Sequence, residues 1–261
     1  MLGAIFFIGT AGSGKTSLVN SYSEFLSERS VSFAIMNLDP AVVTLPYNPD
    51  IDVRNYVSIT KLLQEDALGP NGAIIAAMDL VVTFLGEIIK EVNEIQADYL
   101  LVDTPGQLEL FAFREVGPLL VDKLVKTPKL SVFLFDPVIT QEQSGLASLL
   151  LLSASVSLRL GTPVVNVLSK ADLIEEGRLE KILSVFEEPE GVIAELSSKK
   201  GLMNALASRL IENTLELANL SVPIPVSALD KRGVADLHAE IQRIFLGGES
   251  EDVGVSEQEE S

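Results

Sequence analysis

The run Gly9-Thr10-Ala11-Gly12-Ser13-Gly14-Lys15-Thr16 matches G-x-x-x-x-G-K-[ST] and follows the apolar segment Ala4-Ile5-Phe6-Phe7-Ile8 without a break. A loop of this spacing leaves a strand and opens a helix, here expected over Thr16 to Leu26, and so commits a chain to an α/β architecture and a phosphate ligand. Gly9, Gly12 and Gly14 allow backbone N–H groups to close around phosphate oxygens, and the helix adds the positive end of its dipole. Gly12, Ser13, Gly14, Lys15, Thr16 and Ser17 are therefore expected to hold a nucleoside triphosphate. Lys15 would reach the β- and γ-phosphates, and the Thr16 hydroxyl would ligate Mg2+.

Apolar runs rich in β-branched residues recur at Val31 to Met36, Tyr99 to Val102, Leu130 to Phe135, Pro163 to Leu168 and Val222 to Val226, with helix-like segments between them. This alternation predicts a P-loop NTPase fold, a mainly parallel sheet with helices on both faces. Such sheets carry ligands at the carboxyl ends of their strands, and every polar motif in this chain directly follows one of these runs. The stretch from Pro40 to Ala97 is about twice as long as a single crossover helix needs, and reads as an insertion before the strand at Tyr99. It contains the irregular Thr44-Leu45-Pro46-Tyr47-Asn48-Pro49, a short helix near Ile59 to Glu65, and Gly69-Pro70-Asn71-Gly72 before a long helix over Ile74 to Ile95. One domain is expected over residues 1–246. Residues 247–261 hold Glu249, Glu251, Asp252, Glu257, Glu259 and Glu260 with no base, and read as a disordered acidic tail.

The formal net charge of -18 argues against broad attraction to nucleic acid or to anionic lipid, and favours a protein partner. Leu146 to Leu160 is strongly apolar, but its serines and Arg159 interrupt it well short of a membrane span, so it is expected in the core. Met1 to Ile8 lacks a basic leader and reads as a buried first strand. With Cys 0 there are no disulfides or thiolate metal sites, which fits a reducing cytoplasm. The sole histidine, His238, is expected at the surface, so a metallochaperone reading lacks ligands.

Asp103-Thr104-Pro105-Gly106-Gln107 closes the strand at Tyr99, and this D-x-x-G arrangement is expected to aim Asp103 at Mg2+ through water and the Gly106 N–H at the γ-phosphate. Asn37-Leu38-Asp39-Pro40-Ala41 ends the second strand at the same edge. Asp39 is therefore expected at Mg2+-bound water or at the attacking water. Ser169-Lys170-Ala171-Asp172 follows Val164 to Leu168 and is similar to the N-K-x-D guanine motif, with Ser169 in place of the usual Asn. The Asp172 carboxylate can accept from guanine N1–H and N2–H2, a donor pair adenine lacks. At about 1.5 to 3 kcal/mol per charge-assisted bond, this predicts guanine preference on the order of 10^2 to 10^4-fold. Lys170 would lay its methylenes along the base. Ser227-Ala228-Leu229 follows the last strand, where a backbone N–H can meet guanine O6. Gly69-Pro70-Asn71, taken alone, is a helix cap with Asn71 satisfying free N–H groups.

Taken together, Gly9 to Ser17, Asn37 to Ala41, Gly69-Pro70-Asn71, Asp103 to Glu109 and Ser169 to Asp172 resemble the GPN-loop GTPase family over Gly9 to Leu229. Length and tail look like those of an archaeal-type member, and family members use Ser as well as Asn before the guanine-motif lysine. The resemblance implies a homodimer that hydrolyses GTP to GDP with Mg2+. In it, the Gly69-Pro70-Asn71 loop of one subunit enters the other's phosphate site and Asn71 contacts the γ-phosphate. It also makes Gln107 and Glu109 candidates for orienting the attacking water. Eukaryotic relatives are linked to RNA polymerase assembly, which implies a role as an assembly factor with a protein client. Two other readings are a nucleotide-gated assembly scaffold with negligible turnover and an ATP-dependent kinase.

Overall fold

The computed structural model describes residues 1–64, 68–198, 201–218 and 222–248. Its strands are β1 (Gly3–Gly9), β2 (Phe33–Asn37), β3 (Ile51–Asp52), β4 (Tyr99–Asp103), β5 (Lys129–Phe135), β6 (Val164–Leu168) and β7 (Ile224–Pro225). They form one seven-stranded sheet in the order β3-β2-β4-β1-β5-β6-β7. Every pairing is parallel, so the sheet is wholly rather than mainly so among the described residues. The chain steps from β1 toward one edge through β2 and toward the other through β5. That reversal opens a crevice at the carboxyl end of β1, where the glycine-rich loop begins.

The helices are α1 (Lys15–Glu28), α2 (Ile59–Gln64), α3 (Pro70–Thr83), α4 (Leu85–Glu94), α5 (Leu108–Phe111), α6 (Val116–Leu124), α7 (Gln143–Leu160), α8 (Glu176–Glu187), α9 (Pro189–Ser198), α10 (Leu202–Ala218) and α11 (Val234–Gly248). Period-two alternation in β1 explains the two-sided core. Ala4, Phe6 and Ile8 face a cluster built with α3, α4, α6, α7, α8 and α10. Ile5 and Phe7 face Leu18, Tyr22 and Phe25 of α1 and Leu237, Ile241 and Phe245 of α11.

Three sequence expectations change. The long helix over Ile74 to Ile95 is two helices, α3 and α4, meeting at a 65° bend. The bend at Phe84 lets Ala73, Ala77, Met78 and Val81 of α3 and Ile88 and Val92 of α4 all reach one core, which a straight rod could not do. The insertion also contributes β3, a pair of residues too short to show as a periodic run. His238 is not at the surface. It is 8% exposed, its Nδ1 lies 2.8 Å from the Tyr22 hydroxyl, and the Phe25 and Tyr99 rings surround it. Val234, Leu237, His238, Ile241 and Phe245 share one helical stripe, which carries the histidine inward with its neighbours.

Contrary to the expectation that serines and Arg159 break it well short of a span, helix α7 with its added N-terminal turn is the one single helix among the described residues long and apolar enough to cross a bilayer. It lays Leu146, Leu149, Leu150 and Val156 in the core, as expected for Leu146 to Leu160. The short helix expected to end at Glu65 ends at Gln64, and Glu65 lies outside the described residues. Helix α11 runs to Gly248, two residues into the segment read as tail. The disorder expected for the remainder falls outside the described residues.

Candidate functional site

At the carboxyl end of β1 the loop turns through left-handed backbone at Gly12 (φ 74) and Gly14 (φ 95), which a side chain would strain. Gly14 is also the residue from which α1 starts, so the free N–H groups of that first turn face the crevice. Lys15 is buried and folds back on the loop, donating to the carbonyls of Gly9 at 2.9 Å and Thr10 at 3.0 Å. Burial lowers its pKa, while the carboxylates of Asp103 and Asp39 pull the other way. The Thr10 hydroxyl, the Ser13 hydroxyl and Asp103 Oδ1 are buried with no partner. Unmet polar atoms clustered on one loop and one carboxylate describe a place made for a polar ligand.

Asp103 ends β4 with 1% exposure. Burial raises its pKa, against the hydrogen bonds of Tyr47 and Thr16 and the charge of Lys15. Its Oδ2 accepts from the Tyr47 hydroxyl at 2.6 Å. Burial, followed by the Asp103 charge, pushes the Tyr47 phenol well above its usual range, so it stays a donor. Next in the chain, Thr104 donates to the Phe7 carbonyl at 2.7 Å and pins the turn to β1. The Gly106 N–H donates to Asp39 Oδ2 at 3.1 Å, and Asp39 Oδ1 accepts from the Ala41 N–H at 2.8 Å. The sheet thus brings Asp39 and Asp103 together as expected, but in this state Asp39 holds backbone donors. Asn37 and Asp52 support that turn: the Asn37 amide donates to the Asp39 carbonyl at 3.1 Å and to Asp52 Oδ1 at 2.9 Å. Burial disfavours ionised Asp52, but hydrogen bonds from Arg54 and Asn37 outweigh it and hold the pKa low.

Beyond the loop, Ser13, Gly14, Ser17, Leu18, Pro46, Lys170, Asp172 and Ala228 are among the residues lining a cleft of about 320 Å3. The guanine-motif segment therefore shares one cavity with the glycine-rich loop. Lys170 adopts left-handed backbone (φ 52), and its Nζ lies 2.9 Å from Asp136 Oδ2. A Cβ on Gly14 would sit 3.8 Å from Lys170 Cε, so the lysine stem crosses the cleft against the loop. Ser169 is 4% exposed, and its hydroxyl donates to the Phe135 carbonyl at 2.9 Å. It thereby ties the start of the guanine-motif segment to the end of β5. The Ser227 N–H is committed to the Arg232 carbonyl at 3.0 Å, so Ala228 is the member of that pair that lines the cleft.

The Gly69-Pro70-Asn71 segment opens α3, but Gly69 caps it, Pro70 is its first residue and Asn71 is exposed. Asn71 Oδ1 accepts from the Gln107 amide of the same chain at a long 3.4 Å. Glu109 is exposed in the first turn of α5, beside neither carboxylate by any hydrogen bond described. Tyr47, Pro46 and Asp136 were not singled out from sequence. Asp136 could have been, since it ends the Leu130 to Phe135 run at the same sheet edge as the other motifs. Tyr47 gave no signal, because an irregular loop does not say where its side chains point.

A family model described as "Conserved hypothetical ATP binding protein" matches residues 7–246. GPN-loop GTPase PAB0955 of Pyrococcus abyssi is 32% identical over 235 residues, covering 89% of this chain and 93% of that protein. GPN-loop GTPase 1 of Dictyostelium discoideum is 29% identical over 91% of this chain, which spans 60% of that longer protein. The crystal structure of PAB0955, titled a GTPase in apo form, superposes with TM-score 0.83 at 31% identity, over 91% of this chain and 95% of that one.

Proposed function

This chain belongs to the GPN-loop GTPase family, and we propose that it binds GTP with Mg2+ and hydrolyses it to GDP and phosphate. The observation that supports this reading best is the single cleft shared by Gly14, Lys170, Asp172 and Ala228. A purine seated there would lie along the Lys170 stem, with Asp172 accepting from its N1–H and N2–H2 and Ala228 near O6. Phosphates leading away from it would run onto the loop, where Lys15 would exchange the Gly9 and Thr10 carbonyls for phosphate oxygens.

The residues also fit Mg2+. The Thr16 side chain adjoins the Asp103 carboxylate, and Asp103 Oδ1 is buried and unpartnered. When bound, the ion would neutralise charge on the β- and γ-phosphates. A γ-phosphate oxygen that takes the Gly106 N–H must displace Asp39 Oδ2, freeing that carboxylate to orient a water. Gln107, on the same turn, is the second candidate for positioning the nucleophile, with Glu109 a more distant one.

Asn71 is exposed at the rim. We place it in the phosphate site of a second copy, where its amide would donate to oxygens gaining charge in the transition state. The homodimer, a cytoplasmic location and a part in assembling a protein client such as RNA polymerase belong to the same proposal. One observation favours a scaffold with slow turnover instead: within one chain Gln107 is turned toward Asn71 rather than toward Asp39.

Nucleotide selectivity tests the reading. Wild type is expected to prefer GDP over ADP by on the order of 10^2-fold or more, and Asp172→Asn is expected to lose that margin in titration calorimetry. Equal ADP and GDP affinity in wild type would remove the guanine assignment.

A further inference from the structure

Between Val42 and Asp50 the chain crosses from β2 to β3 as an irregular strap over the crevice. It is tied at both ends. Arg54 donates to the carbonyls of Val42 at 3.2 Å and Val43 at 3.4 Å while forming a 2.6 Å ion pair with Asp52, and Asp50 accepts from the Ile35 N–H at 2.8 Å. Between those anchors the strap sends adjacent residues to two different parts of the site. Pro46 lines the cleft beside Gly14, Lys170 and Asp172. Tyr47 turns the other way and donates to Asp103 Oδ2 at 2.6 Å, against a carboxylate whose second oxygen, Oδ1, is buried and unpartnered.

We propose that Tyr47 is a positioning residue for the metal carboxylate: its hydroxyl holds Asp103 Oδ2 so that Oδ1 is presented to Mg2+, and the strap ties this grip to the base cleft through Pro46. This rests on the GTP–Mg2+ reading of the site. A carboxylate at the end of a strand can rotate about its last bond, and a short hydrogen bond to one oxygen fixes the plane and the direction of the other. Two neighbouring donors are committed elsewhere: the Leu38 N–H donates to the Asp103 carbonyl at 2.8 Å, and the Thr104 hydroxyl donates to the Phe7 carbonyl. Tyr47 also carries an aromatic body that packs against the core cluster between the sheet and α1, so ring and hydroxyl have separable tasks.

The experiment follows dissociation of a fluorescent GDP from the full chain across Mg2+ concentration and, separately, in EDTA. Wild type is expected to retain GDP longer as Mg2+ rises; if it shows no response to Mg2+, the underlying site assignment falls and this inference with it. Tyr47→Phe keeps the ring and is expected to need about tenfold more Mg2+ for the same retention, with unchanged affinity in EDTA. Tyr47→Ala is expected to weaken retention in EDTA as well, since the strap loses its packing. Wild-type Mg2+ dependence in Tyr47→Phe overturns the proposal. So does tighter Mg2+ binding, which would make the hydroxyl a competitor for the ion. A loss of EDTA affinity in Tyr47→Phe also overturns it, because the hydroxyl would then serve the base cleft alone.

Discussion

The glycine-rich loop and the Gly69-Pro70-Asn71 segment both sit at the carboxyl edge of the sheet, yet they are finished to different degrees. Around the first, charged groups have already found neutral hydrogen-bond partners: Lys15 on the Gly9 and Thr10 carbonyls, Asp103 on the Tyr47 hydroxyl, Asp39 on the Gly106 N–H. Each of these pairs joins groups that a nucleotide and its ion would also engage, so the fold holds the positions of the ligand with its own substitutes. The second segment has a helix start with glycine at the cap position and one exposed amide, whose one side-chain hydrogen bond among the described residues is a 3.4 Å bond from Gln107. A buried, pre-arranged half binds. An open half is what the proposed second copy would complete.

The sharpest way to break that contrast is Lys15→Ala. Two hydrogen bonds from a buried ammonium to phosphate oxygens are each worth about 1.5 to 3 kcal/mol, so GTP affinity is expected to fall on the order of 10^2-fold or more in titration calorimetry. Retained affinity would mean the lysine belongs to the loop's own architecture and not to the ligand. Asn71→Ala should behave in the opposite manner, leaving GDP affinity unchanged and cutting GTP turnover by about 10^2-fold, the cost of removing one preorganised donor. Turnover per subunit in wild type is expected to rise with protein concentration until the second copy saturates. A rate independent of concentration in monomeric protein would confine Asn71 to its own chain, beside Gln107.

The sheet, the phosphate loop and the carboxylates at strand ends were legible because each rests on spacing along a single stretch of chain. Gly12 and Gly14 adopt the left-handed backbone their motif needs, and Asp39 and Asp103 meet because parallel strands β2 and β4 pair in register, Asn37 against Asp103. What stayed hidden depends on long-range packing. The break between α3 and α4 has no proline to announce it and is set by where the core lies. Tyr47 and Pro46 sit in a loop without periodicity, so their opposite directions could be read only from the folded strap. The burial of His238 was hidden for a different reason. A single histidine carries no inward signal by its type, and only its place on the stripe of Val234, Leu237, Ile241 and Phe245 marks it as buried.

That histidine gives the smallest expected effect, and it bears on why the phosphate half is so firmly arranged. Helix α1 begins at Lys15, and its far side is clamped to α11 where the Tyr22 hydroxyl meets His238 Nδ1 at 2.8 Å within a group of rings. Burial lowers the His238 pKa, and the nearby Arg29 charge adds to that. The folded chain therefore takes up a proton at this site less readily than the unfolded chain, whose histidine titrates near about 6.5. As pH falls through that value the unfolded state gains the proton first, so the stability this site contributes is full above it and is lost on acidification. Thermal melting from about pH 7.5 to about pH 5.5 should show a drop in Tm that is smaller in His238→Gln, which can keep a hydrogen bond to Tyr22 without a titrating ring. The same interval should leave the Asn71 segment's contribution to turnover unaltered once nucleotide is saturating, because no hydrogen bond among the described residues joins Asn71 to Tyr22 or His238. An equal fall in Tm for both proteins would place the pH response elsewhere and leave α1 held by packing alone.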